Sequence, residues 1–203
     1  MTFWYLLGYS LSKTIAKTFF NYRVIGAENM IEEGPCIIAA NHCSYLDPPL
    51  VGVACKRAIH YLARKSLLDV PVLGPILPEL NVIPVDQKNA DRSALMGAIR
   101  VVRNGGAVLI FPEGTRSPDG KLKTAQPGIG MIAAKTRAPI IPVNISGSFE
   151  ALGRQSVYPK IARITLKIGK RIDLTRGAEL GKNDYSQLSR VIWTELYSLQ
   201  TQL

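Results

Sequence analysis

The chain has 203 residues and a hydrophobic content of 47%, which fits one globular domain with a buried core and excludes a disordered chain. Its 25 lysines and arginines against 15 aspartates and glutamates give a formal charge of +10, so we expect anionic partners: nucleic acid, anionic lipid, or a phosphorylated or acidic substrate. Three cysteines without CxxC spacing and two histidines argue against a disulfide framework or a zinc site.

Residues 2–20 are predicted to form an amphipathic helix. Aromatic residues and lysines around a broad apolar face are typical of a helix that lies in a membrane interface. The alternative is a terminal helix packed on the domain's own core. We therefore expect a membrane-associating segment over residues 1–22, followed by the main domain over residues 23–203. The large apolar side chains recur at every fourth position: Phe3, Leu7, Leu11, Ile15 and Phe19.

Strands and helices alternate after residue 35, which predicts an α/β fold with a mixed, largely parallel central sheet flanked by helices. Pro84 and Pro142 cannot donate a ladder hydrogen bond, so their strands are expected at a sheet edge or at a bulge. Residues 65–80 are rich in proline and leucine and are expected to form an apolar wall rather than a regular element. The predicted strands are 36–40, 58–62, 81–85, 106–111, 139–146 and 161–168, and the predicted helices are 48–56, 91–103, 128–136 and 185–200.

Polar side chains follow the first buried strand directly, among them Asn41, His42 and Asp47. The carboxyl end of a strand is the usual place for a reactive site in an open α/β sheet. On a regular helix, side chains five positions apart point about 140° away from each other. A contact between His42 and Asp47 therefore requires a turn, which Asp47 followed by Pro48 favours. Taken alone, the pair fits an ordinary loop as well as a catalytic one.

A second polar loop, residues 112–117, follows the buried strand at 106–111. Gly114 allows close backbone approach to a ligand, Thr115 offers a hydroxyl, and the planar guanidinium of Arg116 suits a phosphate. If the two strands are parallel in one sheet, both loops emerge at the same edge, and His42 and Arg116 can face one substrate. Alone, this loop equally fits a turn with a surface arginine.

Several catalytic and nucleotide-binding motifs are absent from the sequence. The chain has no Gly-x-Ser-x-Gly elbow, no phosphate-binding loop of the Gly-x-x-x-x-Gly-Lys type and no Gly-x-Gly-x-x-Gly fingerprint. What remains is a histidine base, an orienting carboxylate and an anion-binding loop. This set suits direct group transfer onto a hydroxyl of a molecule that carries a phosphate.

The two polar loops resemble motifs of the glycerolipid acyltransferases, and the chain is identified as a member of that family. Asn41–Asp47 is similar to the family's NHxxxxD motif, and Phe111–Ser117 to its FPEGTRS motif. The resemblance runs from about residue 22 to about residue 170. Three further segments resemble the family's remaining blocks: Val82–Asp86, Lys123 with the following Pro127 and Gly128, and Ala138–Val143.

The resemblance implies transfer of a fatty acyl group from acyl-CoA or acyl-acyl carrier protein to the 2-hydroxyl of lysophosphatidate, giving phosphatidic acid in phospholipid biosynthesis. His42 is the expected base, Asp47 orients it, and Arg116 binds the acceptor's phosphate. Glu113 is expected to contact the glycerol or the loop backbone. No cofactor and no metal are expected. The predicted substrate-binding set is completed by Asn41, Gly114, Thr115 and Lys123.

One position departs from the family pattern. Many members carry an arginine after the aspartate that corresponds to Asp86, and that arginine is thought to help hold the phosphate, but this chain has Gln87. Lys88 or Arg92 is expected to supply the missing cation. The acceptor is therefore open between lysophosphatidate, another lysophospholipid, glycerol 3-phosphate and an acylated ornithine-type lipid.

A second hypothesis is that the chain is not an enzyme but a basic module that binds lipid or nucleic acid. It explains the charge but neither motif, and the chain has no zinc-finger spacing or aromatic RNA-binding stretch. We therefore expect an anionic membrane surface as a partner, and no nucleic acid. The expected location is the cytoplasmic face of the cell membrane, with peripheral or monotopic attachment.

Overall fold

The computed structural model describes residues 2–86, 92–174 and 184–201. Within these ranges, seven strands form one sheet in the order β1-β7-β6-β2-β5-β3-β4. Neighbouring strands are parallel except for β6 and β7, which are antiparallel, so the predicted mixed and largely parallel sheet is confirmed. The strands are β1 (Arg23–Ile25), β2 (Cys36–Ala40), β3 (His60–Arg64), β4 (Val82–Val85), β5 (Ala107–Ile110), β6 (Ile140–Ser146) and β7 (Thr165–Ile168).

Helices cover both faces of this sheet, and the predicted helices are confirmed to within a few residues. The sequence did not predict β1 or α6, which are only three and five residues long. Such short elements lack the repeated apolar pattern that marks a strand or helix. The helices are α1 (Phe3–Phe19), α2 (Asp47–Ala54), α3 (Leu73–Ile76), α4 (Arg92–Arg103), α5 (Pro127–Thr136), α6 (Ser148–Leu152) and α7 (Tyr185–Thr201).

Strand β2 lies at the centre of the sheet, and all five of its residues are buried. Successive side chains of a strand point to opposite faces, so a fully buried strand needs cover on both sides. Cys36, Ile38 and Ala40 pack into a core under α1 and α2, while Ile37 and Ala39 pack into a second core under α4, α5 and α7. This double cover fixes the position of the residues that follow β2.

The two prolines behave differently. Pro84 lies in β4, an edge strand, as predicted. The prediction is wrong for Pro142, because β6 is an interior strand between β7 and β2 and pairs with β2 in unbroken register from Ile140 to Val143. The ladder to β7 begins at Val143, one residue after Pro142, so the missing N–H group falls beyond that ladder. The carbonyl of Pro142 still accepts a hydrogen bond from Gly169 N at 2.9 Å.

Helix α1 packs on the domain with one face. Tyr5, Ala16 and Phe20 are buried, and the Tyr5 hydroxyl accepts a hydrogen bond from Ile59 N at 3.1 Å. The stripe of apolar residues at every fourth position points the other way, since Phe3 is 72% exposed and Leu11 59% exposed. No helix among the described residues is long and apolar enough to cross a membrane.

The segment 65–80 contains short helical turns rather than an irregular wall: α3 lies between the 3₁₀ helices Lys65–Asp69 and Pro78–Leu80. It lies against the start of α1, where the Thr2 hydroxyl donates to Glu79 O at 3.0 Å. Its exposed apolar side chains include Val72, which is 80% exposed.

Candidate active site

The two predicted polar loops lie side by side at the carboxyl edge of the sheet. Strands β2 and β5 are parallel neighbours, with Ala39 opposite Ile110, so the loops leave the sheet at the same edge as expected. Ser117 N donates a hydrogen bond of 2.7 Å to His42 O, which ties the second loop to the first. The sheet geometry thus brings the two motifs into one site.

His42 and Asp47 are in direct contact across a turn. His42 Nδ1 lies 2.8 Å from Asp47 Oδ2, and the same oxygen accepts hydrogen bonds of 2.7 Å from the backbone N–H groups of Cys43 and Ser44. Asp47 is fully buried and is the first residue of α2, where the helix dipole favours a negative charge. Backbone N–H groups therefore fix the position of the Asp47 carboxylate, and the carboxylate in turn fixes the imidazole of His42.

The imidazole of His42 is fixed on its face as well as at Nδ1. The ring of Phe111 stacks on it, with ring centroids 3.9 Å apart and planes 14° apart. With Nδ1 engaged by Asp47, Nε2 is the ring nitrogen left to meet a substrate. The His42 side chain keeps 17% of its surface exposed, which leaves a path from solvent to the ring.

Glu113 joins the two loops through their backbones. Its Oε1 accepts from His42 N at 2.8 Å, and its Oε2 accepts from Lys123 N at 3.0 Å. Burial raises the pKa of this carboxyl, while the two N–H groups act in the opposite direction. Both oxygens act as acceptors, which suits the carboxylate form. Of the two contacts expected for Glu113, glycerol or loop backbone, the structure shows the backbone contact.

A chain of hydrogen bonds links α7 to the histidine. Trp193 Nε1 donates to Lys123 O at 2.7 Å; Lys123 N in turn bonds Glu113, which bonds His42 N. Sequence reasoning did not find Trp193, because one indole on a C-terminal helix has no local pattern that marks it. Helix α7 thus braces the backbone that holds the imidazole.

Arg116 lies on the ring of Tyr45. Its guanidinium carbon is 3.4 Å from the ring centroid, a cation–π contact between the two loops. Its Nη1 is buried and meets no hydrogen-bond acceptor within the described residues. Beside it, Lys123 Nζ lies 3.4 Å from Thr115 Oγ1 and 3.5 Å from Arg116 O. Two cations and a hydroxyl therefore belong to one loop, which the bond from Ser117 N to His42 O ties to the histidine.

Two predicted substrate-binding residues, Asn41 and Arg92, are placed differently from the rest. Asn41 is buried, and its amide bonds Ile145 O at 2.9 Å and Ile145 N at 2.7 Å, so it joins β2 to β6. Its role in substrate binding stays a prediction. Arg92 is exposed in the first turn of α4. Lys88, like Gln87, lies outside the described residues.

Gly114 forms the turn of the second loop. Its φ of 70° lies in the left-handed region, which glycine adopts without strain. A Cβ atom there would meet Gln126 Cγ at 3.5 Å, an ordinary contact. The turn geometry, rather than lack of room, therefore requires the glycine.

Neither Cys43 nor Ser44 is set up as a nucleophile. Burial raises the pKa of the Cys43 thiol to about 12, and the nearby carboxylates of Asp47 and Glu113 act in the same direction. The Ser44 hydroxyl donates to Leu152 O at 2.7 Å and accepts from Leu46 N at 3.0 Å. Neither of these two side chains is therefore an activated nucleophile.

Comparison with known proteins gives concordant matches. A family model described as Acyltransferase matches residues 21–146. A 1-acyl-sn-glycerol-3-phosphate acyltransferase from Bacillus subtilis is 30% identical over 168 residues, which cover 82% of this chain and 77% of that protein. A chloroplastic enzyme of the same name from Brassica napus is 29% identical over 64% of this chain, but the match spans only 38% of that longer protein.

A solved structure also matches most of the chain. The crystal structure of the 1-acyl-sn-glycerophosphate acyltransferase from Thermotoga maritima superposes with a TM-score of 0.78 at 28% identity. The match covers 96% of this chain and 80% of that one. The similarity therefore extends beyond the two polar loops to the whole sheet and its helices.

Proposed function

Because the chain belongs to the acyltransferase family, we propose that it transfers a fatty acyl group from a thioester to the 2-hydroxyl of lysophosphatidate and so makes phosphatidic acid for phospholipid biosynthesis. The observation that carries this proposal is the contact between His42 and Asp47, which the backbone bond from Ser117 N to His42 O ties to the loop that carries Arg116. The names of the Bacillus subtilis and Thermotoga maritima relatives support the same reaction. The test is release of free thiol from acyl-CoA or acyl-acyl carrier protein that depends on added lysophosphatidate.

The base role of His42 follows from its hydrogen bond to Asp47. With Nδ1–H directed at the carboxylate, Nε2 accepts the proton of the acceptor's hydroxyl while that oxygen attacks the thioester carbonyl. The bond from carbonyl carbon to sulfur then breaks, and the leaving thiolate takes the proton back from the imidazolium. Asp47 stabilises the imidazolium between these two proton transfers.

Direct transfer of the acyl group, without an acyl-enzyme intermediate, agrees with the environment of the Cys43 thiol and the Ser44 hydroxyl. A covalent acyl-enzyme needs a thiol or hydroxyl activated by a base. The Cys43 thiol has its pKa raised to about 12, and the Ser44 hydroxyl is engaged by two backbone groups. The acceptor's own hydroxyl is therefore the nucleophile in the proposed reaction.

Arg116 is the proposed ligand of the acceptor's phosphate, with Lys123 and Thr115 beside it. A buried guanidinium N–H that meets no acceptor among the described residues is an unfavourable arrangement, which an anionic oxygen would satisfy. The cation–π contact with the ring of Tyr45 holds the guanidinium in place. Lys88 and Arg92 remain proposed as further cations toward the same phosphate.

Replacing Arg116 with glutamine is expected to raise KM for lysophosphatidate by about 10- to 100-fold, because a charge-assisted hydrogen bond contributes about 1.5–3 kcal/mol. KM for the acyl donor should change little. Steady-state kinetics with each substrate varied separately measures both values. Arg171→Gln removes the same charge from the surface pair with Asp173 and serves as control. An unchanged acceptor KM in Arg116→Gln contradicts the assignment.

For the acyl acceptor and the acyl donor, we propose a class of molecule rather than one compound. The position of Gln87 keeps another lysophospholipid, glycerol 3-phosphate and an ornithine-type lipid as alternative acceptors. A panel of these acceptors with one donor ranks them by kcat/KM. Acyl-CoA and acyl-acyl carrier protein are compared in the same way with one acceptor.

Helix α1 is the proposed membrane contact, at the cytoplasmic face of the cell membrane. Its outward face carries seven large apolar side chains: Phe3, Trp4, Leu6, Leu7, Leu11, Ile15 and Phe19. Lys13 and Lys17 lie on the same helix, and both suit an anionic headgroup layer. Deletion of the helix would also remove the buried side chains of Tyr5 and Ala16, so substitutions on the outward face are the sharper test.

The double variant Leu7→Ser/Leu11→Ser is expected to weaken binding to anionic phospholipid vesicles by about tenfold, since each side chain leaves the interface. High salt should weaken binding of the unmodified chain, because salt screens its positive charge. Vesicle flotation measures both effects. Met96→Ser/Val191→Ser, on exposed positions of α4 and α7, is the matched control. Equal flotation of both double variants contradicts the role of α1.

A further inference from the structure

The segment between α6 and β7, residues 153–163, carries the most exposed apolar side chains outside α1 and residues 65–80 among the described residues. Val157 is 80% exposed, Tyr158 79% and Ile161 87%. Three such residues within five positions form an unusual surface for a domain that meets only water. We call residues 153–163 the β7 loop.

The charges of the β7 loop have one sign. Arg154, Lys160 and Arg163 are exposed, and residues 153–163 include no aspartate or glutamate. Glu150, on the preceding helix α6, is the nearest acidic residue before the loop in the chain. Large apolar side chains alternating with cations are the composition that binds an anionic lipid interface.

The β7 loop is attached to the candidate active site. Ser44, which follows His42 in the first polar loop, forms a β-bridge with Gly153 and donates its hydroxyl proton to Leu152 O at 2.7 Å. Within the loop, Ser156 N donates to Gly153 O at 3.0 Å. Lys160 N donates to Ala151 O at 2.7 Å. The backbone is therefore held against the domain while the apolar side chains point away from it.

The loop also continues the surface of α1. Ile164, the residue directly after the loop, donates its N–H to Phe20 O at 2.9 Å, which places the end of the loop at the end of the helix. Ala151 and Ile164, which flank the loop, pack in the same core as Ala16 and Phe20, and Ala162 of the loop packs against it, so the loop and α1 lie on the same face of the sheet. Phe19, at this end of α1, is 53% exposed.

We propose that the β7 loop is a second membrane contact, which inserts Val157, Tyr158 and Ile161 into an anionic lipid interface beside the catalytic loop. This proposal rests on the proposed function, because the acceptor there is a lipid. Helix α1 binds the membrane along its length, and the β7 loop binds it near the end of α1. These two separate contacts fix the orientation of the domain on the membrane. The loop that carries His42 then faces the membrane in which the acceptor resides.

The direct test places a probe in the loop. All three native cysteines are buried, so Ile161→Cys gives one exposed thiol for an environment-sensitive dye among the described residues. Anionic phospholipid vesicles are expected to shift the dye's emission to the blue and to increase it at least about twofold, because the probe leaves water. The same dye on Val191→Cys, on α7, is the control and should not respond. An unchanged spectrum at position 161 overturns the proposal.

The second test removes the apolar contact. Val157→Ser/Ile161→Ser is expected to float with anionic vesicles about tenfold less than the unmodified chain, while Met96→Ser/Val191→Ser floats normally. The ratio of acylation of vesicle-embedded acceptor to acylation of a monomeric short-chain acceptor should fall in the loop variant. Equal thermal unfolding of the two variants verifies that the fold is kept.

The possible outcomes separate the two proposals. If no acceptor is acylated by the unmodified chain but the dye responds and flotation falls, the proposed function fails and the membrane contact stands. If the loop variant floats normally but loses binding to acyl carrier protein, the surface belongs to that acidic protein and the membrane proposal is overturned. Normal flotation with normal carrier binding overturns it as well.

Discussion

Replacing His42 with alanine is expected to lower kcat by about 10²–10⁴-fold, the range that a positioned general base contributes. The acceptor hydroxyl would then have to lose its proton to water while it attacks the thioester. Substrate KM values should change little, because the cations of Arg116 and Lys123 remain in place. Thiol release with acyl-CoA and lysophosphatidate measures the loss.

His60→Ala is the matched control, since His60 is the other histidine of the chain. It lies at the amino end of β3, away from the edge that carries His42, and its Nδ1 is 3.3 Å from Ala107 O. It should retain near-normal kcat. Near-normal turnover by a folded His42→Ala variant would contradict the assignment of the base.

The pairing of the two loops was predictable because it depends on topology. A buried apolar run followed by polar residues marks the carboxyl end of an interior strand, and parallel neighbours place those ends together. The expected turn between His42 and Asp47 is also present, with Asp47 N donating to Ser44 O at 3.4 Å. Local sequence thus contains the reason for the central contact of the site.

The supporting contacts were not predictable, because they join residues far apart in the chain. Asn41 bonds Ile145, and Trp193 bonds Lys123; neither pair has a spacing that reveals it. The polarity of Asn41 made it a candidate ligand, whereas the sheet uses both ends of its amide to connect two strands. A polar residue after a strand therefore indicates the edge of the sheet but not which atoms remain free for substrate.

The periodicity of α1 also did not determine whether its apolar stripe faces the core or the solvent. Phe3, Leu7 and Leu11 recur as a core stripe would, yet they face outward, while Tyr5 and Ala16 on another face are buried. A helix with apolar residues on two faces has no unique orientation until its neighbours are known. The outward stripe is the reason that α1 is proposed as a membrane contact.

Replacing Asp47 with asparagine is expected to lower kcat by about 10³–10⁴-fold, comparable to the loss in a hydrolase triad when the orienting aspartate loses its charge. Asp47 Oδ2 accepts three N–H groups, from the imidazole, Cys43 and Ser44. The asparagine oxygen can occupy that position, but it carries no charge to stabilise the imidazolium. If the amide turns its NH₂ group inward instead, these N–H donors lose their acceptor. Thiol release measures the rate, and thermal unfolding shows how much of the loop's stability is lost.

The double variant His42→Ala/Asp47→Asn decides how the carboxylate acts. If Asp47 works through the imidazole, its charge has nothing to stabilise once His42 is gone, and the double variant should be about as slow as His42→Ala alone. If the two losses multiply, Asp47 contributes through the backbone of the loop rather than through the base. Multiplied losses together with a lowered unfolding temperature would assign Asp47 to loop structure. A double variant equal to His42→Ala, with its fold intact, would establish the pair as one catalytic unit.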